Sequence, residues 1–161
     1  MTDLASEFER DVRESFSFLK EEFGFQPQEV RAHLPEMWVT FASAAAEVTI
    51  IYEVGSTPWV ELARRGTCDG KLVKTETSSV ELLLEERAAS TGIPECEIAE
   101  PGTEAFRICL RAKAAALREF GSDILRGNFD VFPRLRVRAA ENERKRNLEL
   151  FGSADGETAK N

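Results

Sequence analysis

The order of apolar patterns along this chain predicts an α+β fold: an N-terminal helix, an antiparallel sheet of three to four strands, then two to three C-terminal helices. Three observations carry that expectation. Apolar residues recur at steps of three and four near the start, at Leu4, Phe8, Val12, Phe16, Leu19 and Phe23, one stripe of an amphipathic helix. Between residues 37 and 64 the spacing changes to strand-like alternation rich in β-branched and aromatic side chains. After residue 78 the helical spacing returns. Strands and helices segregated in this way favour α+β over a parallel α/β sheet.

The first helix has Thr2 or Asp3 for a cap and Gly24 for a stop. Its opposite face carries Glu7, Arg10, Asp11, Glu14, Glu21 and Glu22, read as solvated. QEVRAHL, residues 28–34, is a candidate first strand. Residues 37–43, 47–54 and 57–64 follow as strands, and their short connections predict consecutive antiparallel pairing. Alternation places Val39, Phe41, Val48, Ile50, Tyr52, Val60 and Leu62 on a core face. Trp38, Thr40, Thr49, Ile51, Glu53, Trp59 and Glu61 fall on a second, mixed face. Residues 66–77 read as a loop with a short edge strand at KLVKT.

Ser78-Ser79-Val80-Glu81 has the spacing of a capping box and opens a helix through Leu82, Leu83 and Leu84 that ends near Ser90. A capped helix over 103–126 follows, with a break at Gly121. A last helix covers about 129–150, with Pro133 in its first turn. One domain is expected over 1–151, with 152–161 as a flexible tail.

Composition narrows the function classes. The 161 residues hold 29 acids and 21 bases, a formal charge of −8. This disfavours general nucleic-acid binding and docking to anionic lipid. No apolar run reaches the ~20 residues that span a bilayer, and the acidic, amphipathic start lacks the chemistry of a secretory signal. A cytoplasmic protein is expected. Charge is uneven: residues 1–100 carry 20 acids and 9 bases, residues 101–161 carry 9 and 12. The bases cluster at Arg134, Arg136, Arg138, Arg144, Lys145 and Arg146. With Glu141 and Glu143 interleaved, that helix is expected to lie against the acidic N-terminal helix of its own fold.

Cys68, Cys96 and Cys109 have no chelating spacing, so no zinc site is expected and reduced thiols are the default. Cys109 reads as a small buried hydrophobe beside Phe106 and Leu110. His33 is the only histidine and carries no catalytic assignment. No nucleophile elbow, Walker loop, dinucleotide fingerprint or zincin motif occurs. No catalytic residue, cofactor or metal is assigned, and the chain is read as a non-enzyme.

What remains is a binding surface. Trp38 and Trp59, the only tryptophans, share the mixed face with Glu53 and Glu61, the combination of aromatic anchors and steering charge that protein interfaces use. These four residues are the candidate partner-binding site. The competing reading is that a C-terminal helix covers this face and buries both tryptophans.

The order of short segments also resembles that of a group of small, mostly uncharacterised bacterial proteins. The segments are Phe23-Gly24-Phe25, residues 39–43 (VTFAS), residues 48–52 (VTIIY), Leu82-Leu83-Leu84 and residues 123–129 (DILRGNF). It resembles the style of immunity proteins that neutralise toxins: small, acidic, α+β, without catalytic motifs. Together with the acidic residues 1–100, the paired tryptophans and the missing catalytic motifs, this leads to the expectation of an immunity- or antitoxin-like inhibitor that occludes a basic partner, such as a toxin or nuclease. The alternatives are a self-associating adaptor using the C-terminal helices, with a homodimer left open, and an enzyme using Glu53 or Glu61 in an unrecognised pocket.

Overall fold

The N-terminal stripe folds as two helices, α1 (Leu4–Ser15) and α2 (Phe18–Phe23), rather than one. Phe16 and Phe18 lie two positions apart, so a straight helix would send them to opposite sides. The break at Ser17 lets both be buried. Gly24 ends α2 in the left-handed conformation, φ +70°. Its N–H donates to Lys20 O and that of Phe25 to Leu19 O, a Schellman closure. The computed structural model describes residues 3–87 and 95–152.

Five strands follow: β1 (Gln26–His33), β2 (Glu36–Ala42), β3 (Ala46–Glu53), β4 (Trp59–Cys68) and β5 (Lys71–Ser79). They form one antiparallel meander in the order β1-β2-β3-β4-β5. The sheet thus has one strand more than the upper expectation. The stretch read as a loop with a short edge strand at KLVKT, 66–77, is the end of β4 and most of β5. Asp69 and Gly70 close that hairpin with φ 49° and 75°. This is the positive-φ Asp-Gly turn that suits the twist of paired strands.

α3 (Val80–Arg87) leaves β5 directly, and the Ser79 hydroxyl accepts from Leu82 N at 3.2 Å. The cap is therefore Ser79 rather than Ser78, and Glu81 pairs with Lys113 at 2.6 Å instead of closing a box. The expected end of this helix near Ser90 lies outside the described residues. α4 (Glu104–Phe120) is capped by Thr103 and ends at Gly121, where the break was expected; α5 (Ser122–Leu125) and α6 (Phe132–Phe151) complete the chain. Residues 153–161, the expected tail, lie outside the described residues.

Val39, Phe41, Val48, Ile50, Tyr52, Val60 and Leu62 all point to the buried side, as the alternation predicts. Register explains the agreement. Val39, Ile50 and Val60 pair across β2, β3 and β4, as do Phe41, Val48 and Leu62. The helices contribute Phe8, Val12, Leu19, Leu83, Phe106, Leu110, Leu117, Phe132 and Leu135 to the same core. Phe8, Tyr52 and Phe106 meet as a triad, with ring centroids 5.2–6.2 Å apart.

Three expectations fail for tertiary reasons. Asp11, read as solvated, is fully buried, because α1 is packed on its sheet side and also against α4 and the turn before it. Its carboxylate accepts the Gly102 N–H at 2.7 Å and lies 3.7 Å from the Arg107 guanidinium. Cys96 and Cys109, expected as thiols, form a disulfide with Cα atoms 5.3 Å apart. The basic α6 does not lie on the N-terminal helix. Arg134 and Arg138 pair with Glu86 and Asn142 with Glu85 on α3, while Arg136 pairs with Glu76 on β5.

Arg87 ties α3 to α5, donating to both carboxylate oxygens of Asp123 at 2.6 and 2.7 Å and to Phe120 O. These hydrogen bonds, opposed by desolvation, hold the Asp123 carboxyl below its ordinary range. A depressed folded-state pKa adds stability that is fully present above the unfolded value and lost as pH falls through the folded one. The carboxylate is about a third exposed, so screening trims the effect. Asp123→Asn is expected to cost about 1 kcal/mol at neutral pH. The difference should shrink toward zero in acid, read as urea midpoints of both proteins from neutral pH to about pH 3.

Candidate functional site

Among the described residues every helix docks on one side of the twisted antiparallel sheet, which leaves the other side without a helix over it. Among the described residues no helix covers it, so the reading in which a C-terminal helix buries the tryptophans does not hold. The twist makes this side concave. It forms a cleft of about 540 Å³ whose lining includes Trp38, Thr40, Glu47, Thr49, Glu61 and Lys74, within the size range of binding sites.

Strand register builds the floor in rows. Arg31, Trp38, Ile51 and Trp59 stand side by side across β1, β2, β3 and β4. At about 4.8 Å per strand the two tryptophans are about 10 Å apart, with Ile51 between them. Both are half-buried, while Ile51 is 8% exposed. The next row is Glu29, Thr40, Thr49 and Glu61, in which the two threonine hydroxyls lie 3.2 Å apart.

Lys74 of β5 reaches over this floor and places its ammonium 3.0 Å from Glu61 and 3.1 Å from Glu47. Burial pulls the ammonium's pKa down, but the hydrogen bonds to the two glutamates outweigh that, so it stands above the ordinary lysine value. It stays charged across the neutral range. Arg65 donates to Ser43 O at 2.7 Å and Arg31 to Glu29 at 2.6 Å.

Of the four residues singled out from the sequence, Trp38 and Glu61 line the cleft itself. Trp59 continues the Trp38 row beyond it. Glu53 is exposed in the row beyond, opposite Glu36. Sequence reading missed Lys74, Glu47, Arg65, Glu29 and Arg31. Strand parity was enough to find Glu47, which has the alternation of Thr49 and Ile51. Lys74 lay in the expected KLVKT edge strand, but its place beside Arg65 of β4 was not foreseen.

The electrostatics differ from a simple acidic surface. The cleft lining holds three glutamates, Glu29, Glu47 and Glu61, against Arg31, Arg65 and Lys74. The acidic surplus of this face comes from Glu36 and Glu53 at one end. No cluster of three or more histidine, cysteine or carboxylate side chains suited to a metal ion occurs among the described residues. Among them no helix is long and apolar enough to cross a membrane. Compared with known proteins, the chain matches no protein-family model, no curated protein and no solved structure.

Proposed function

We propose that the chain is a non-enzymatic protein-binding module that engages its partner through the uncovered sheet face, with Trp38 and Trp59 as anchors. The observation that carries this reading is the row Trp38–Ile51–Trp59, two half-buried tryptophans flanking a buried isoleucine, on a concave, otherwise polar surface. Rigid strands hold two large amphipathic rings at fixed spacing, so little side-chain entropy is lost on binding. The partner is a basic protein, and the module acts by occlusion, as an immunity- or antitoxin-like inhibitor would. Glu36 and Glu53 supply the attractive end of the face, while the balanced cleft fixes register through polar contacts. An enzymatic reading has less support, since Glu47 and Glu61 both hold the Lys74 ammonium instead of facing one another as acid and base.

Location belongs to the same proposal. A cytoplasmic protein keeps such cysteine pairs reduced, so the Cys96–Cys109 bond favours an oxidising compartment over the cytoplasm.

The test is capture of partners from the host by the tagged chain at low and high salt, followed by affinity measurement on the protein recovered. Trp59→Ala is expected to weaken binding by about 30-fold, the loss of one anchor. Glu53→Ala is expected to slow association mainly, and less so at high salt. Affinity unchanged by Trp38→Ala and Trp59→Ala together would remove this face as the binding surface.

One observation favours a second reading, the self-associating adaptor. α6 runs past the core with Val137, Leu148, Leu150 and Phe151 exposed. Deleting residues 129–161 is too deep a cut to test it, because Val131, Phe132 and Leu135 are core residues. Truncation after Asn142 leaves that core whole. Loss of self-association in the truncated chain would support this reading.

A further inference from the structure

We infer that a second copy of this chain docks on the free edge of β1, joining two five-stranded sheets across a two-fold axis at Val30. β1 is paired on one side only, with β2. All of its residues but Pro27 are exposed, so among the described residues its outer backbone groups have no strand partner. Such an edge is a template for another strand. The opposite edge is less accessible: α6 runs beside β5, and Arg136 reaches across to Glu76.

The side chains select the partner and the register. Pairing about a two-fold axis perpendicular to the sheet keeps each residue on its own face, so only registers that match like faces survive. An axis at Arg31 sets arginine against arginine, and an axis at Glu29 sets glutamate against glutamate. An axis at Val30 sets Glu29 of each copy against Arg31 of the other, twice. Glu29 and Arg31 already pair 2.6 Å apart within one chain; docking turns that pair into a four-charge ring. On the helix side the same register brings Val30, 38% exposed, against its own copy. The irregularity between Pro27 and Glu29 confines pairing to the short segment around Val30. Glu29 and Arg31 also line the β1 side of the cleft, but Trp38 and Trp59 are not used in the contact. The test reads dimer mass alone, so failure of this contact is distinguishable from failure of the proposed function.

The test is sedimentation velocity of the full chain up to about 0.5 mM, a range suited to a small interface. The native protein is expected to shift toward dimer mass as concentration rises. Glu29→Arg and Arg31→Glu, both at exposed positions, each replace two attractive pairs by two repulsive ones and should weaken the dimer at least about tenfold. An equimolar mixture of the two variants restores both pairs and should recover dimer mass. Three results would overturn the inference: a native chain that stays monomeric throughout, a dimer indifferent to both substitutions, or a mixture that stays monomeric.

Discussion

Asp11→Ala lowers the unfolding free energy by about 3 kcal/mol, the expected loss when a buried, hydrogen-bonded carboxylate is removed. Asp11 has no solvent exposure, and its Oδ2 accepts the Gly102 N–H at 2.7 Å, a contact between residues 91 positions apart. That bond holds the Gly102 turn, φ +87°, against α1 just before α4 begins. The Arg107 guanidinium, 3.7 Å away, loses its buried counter-charge in the variant, although it keeps Glu104 and Gly102 O. Asp11→Asn can still accept from Gly102 but carries no charge, so about half the loss is expected. Urea unfolding should show the midpoint moving with its slope unchanged, and the alanine variant melting roughly 10 °C lower. A melting point within a degree or two of the native value would mean that the turn holds α1 without this carboxylate.

Cys96→Ser costs a similar amount, about 3 kcal/mol, by releasing a closed loop of 13 residues' separation in the unfolded chain. Cys109 sits on the buried side of α4, so the bond staples the irregular backbone around Cys96 to the helix that packs against α1. A reducing agent should bring the native protein down to the level of the variant and leave the variant unchanged. Thiol labelling in denaturant should find one reactive cysteine, Cys68, before reduction and three after it. Stability indifferent to reductant would mean that the bond adds no constraint beyond the packing of Cys109.

The two effects share a place in the fold. Both tie the segment before α4 to the α1–α4 layer. Disrupting either is expected to loosen this layer first, while the sheet, held by antiparallel ladders from β1 to β5, persists longer.

The sheet was legible because strand parity is a local property. Once residues 37–64 are read as strands, the inward side of Val39, Ile50 and Val60 follows, and with it the outward side of Trp38, Ile51 and Trp59. The capped start at Thr103 and the breaks at Gly24 and Gly121 were legible for the same reason, since caps and glycine stops act within one turn. The hairpin at Asp69-Gly70 was equally local, but it went unused, so the expected KLVKT edge strand was not set beside β4 and the place of Lys74 in the cleft was missed. Half of the candidate site was thus readable: its aromatic row and Glu61 came from alternation, whereas the ammonium bridging Glu47 and Glu61 depends on β5 lying beside β4.

By itself the sequence determined the order of elements, the α+β class, the two faces of the sheet and the positions of most helix ends, all consequences of contacts within a few residues. The tertiary structure alone decided that Asp11 is buried, that Cys96 meets Cys109, that α6 rests on α3 and β5, and that no described helix covers the tryptophan face. Each of these depends on which side of the sheet the helices choose and on groups distant in the chain. Such choices are made by the summed burial of the whole core, which no local pattern contains.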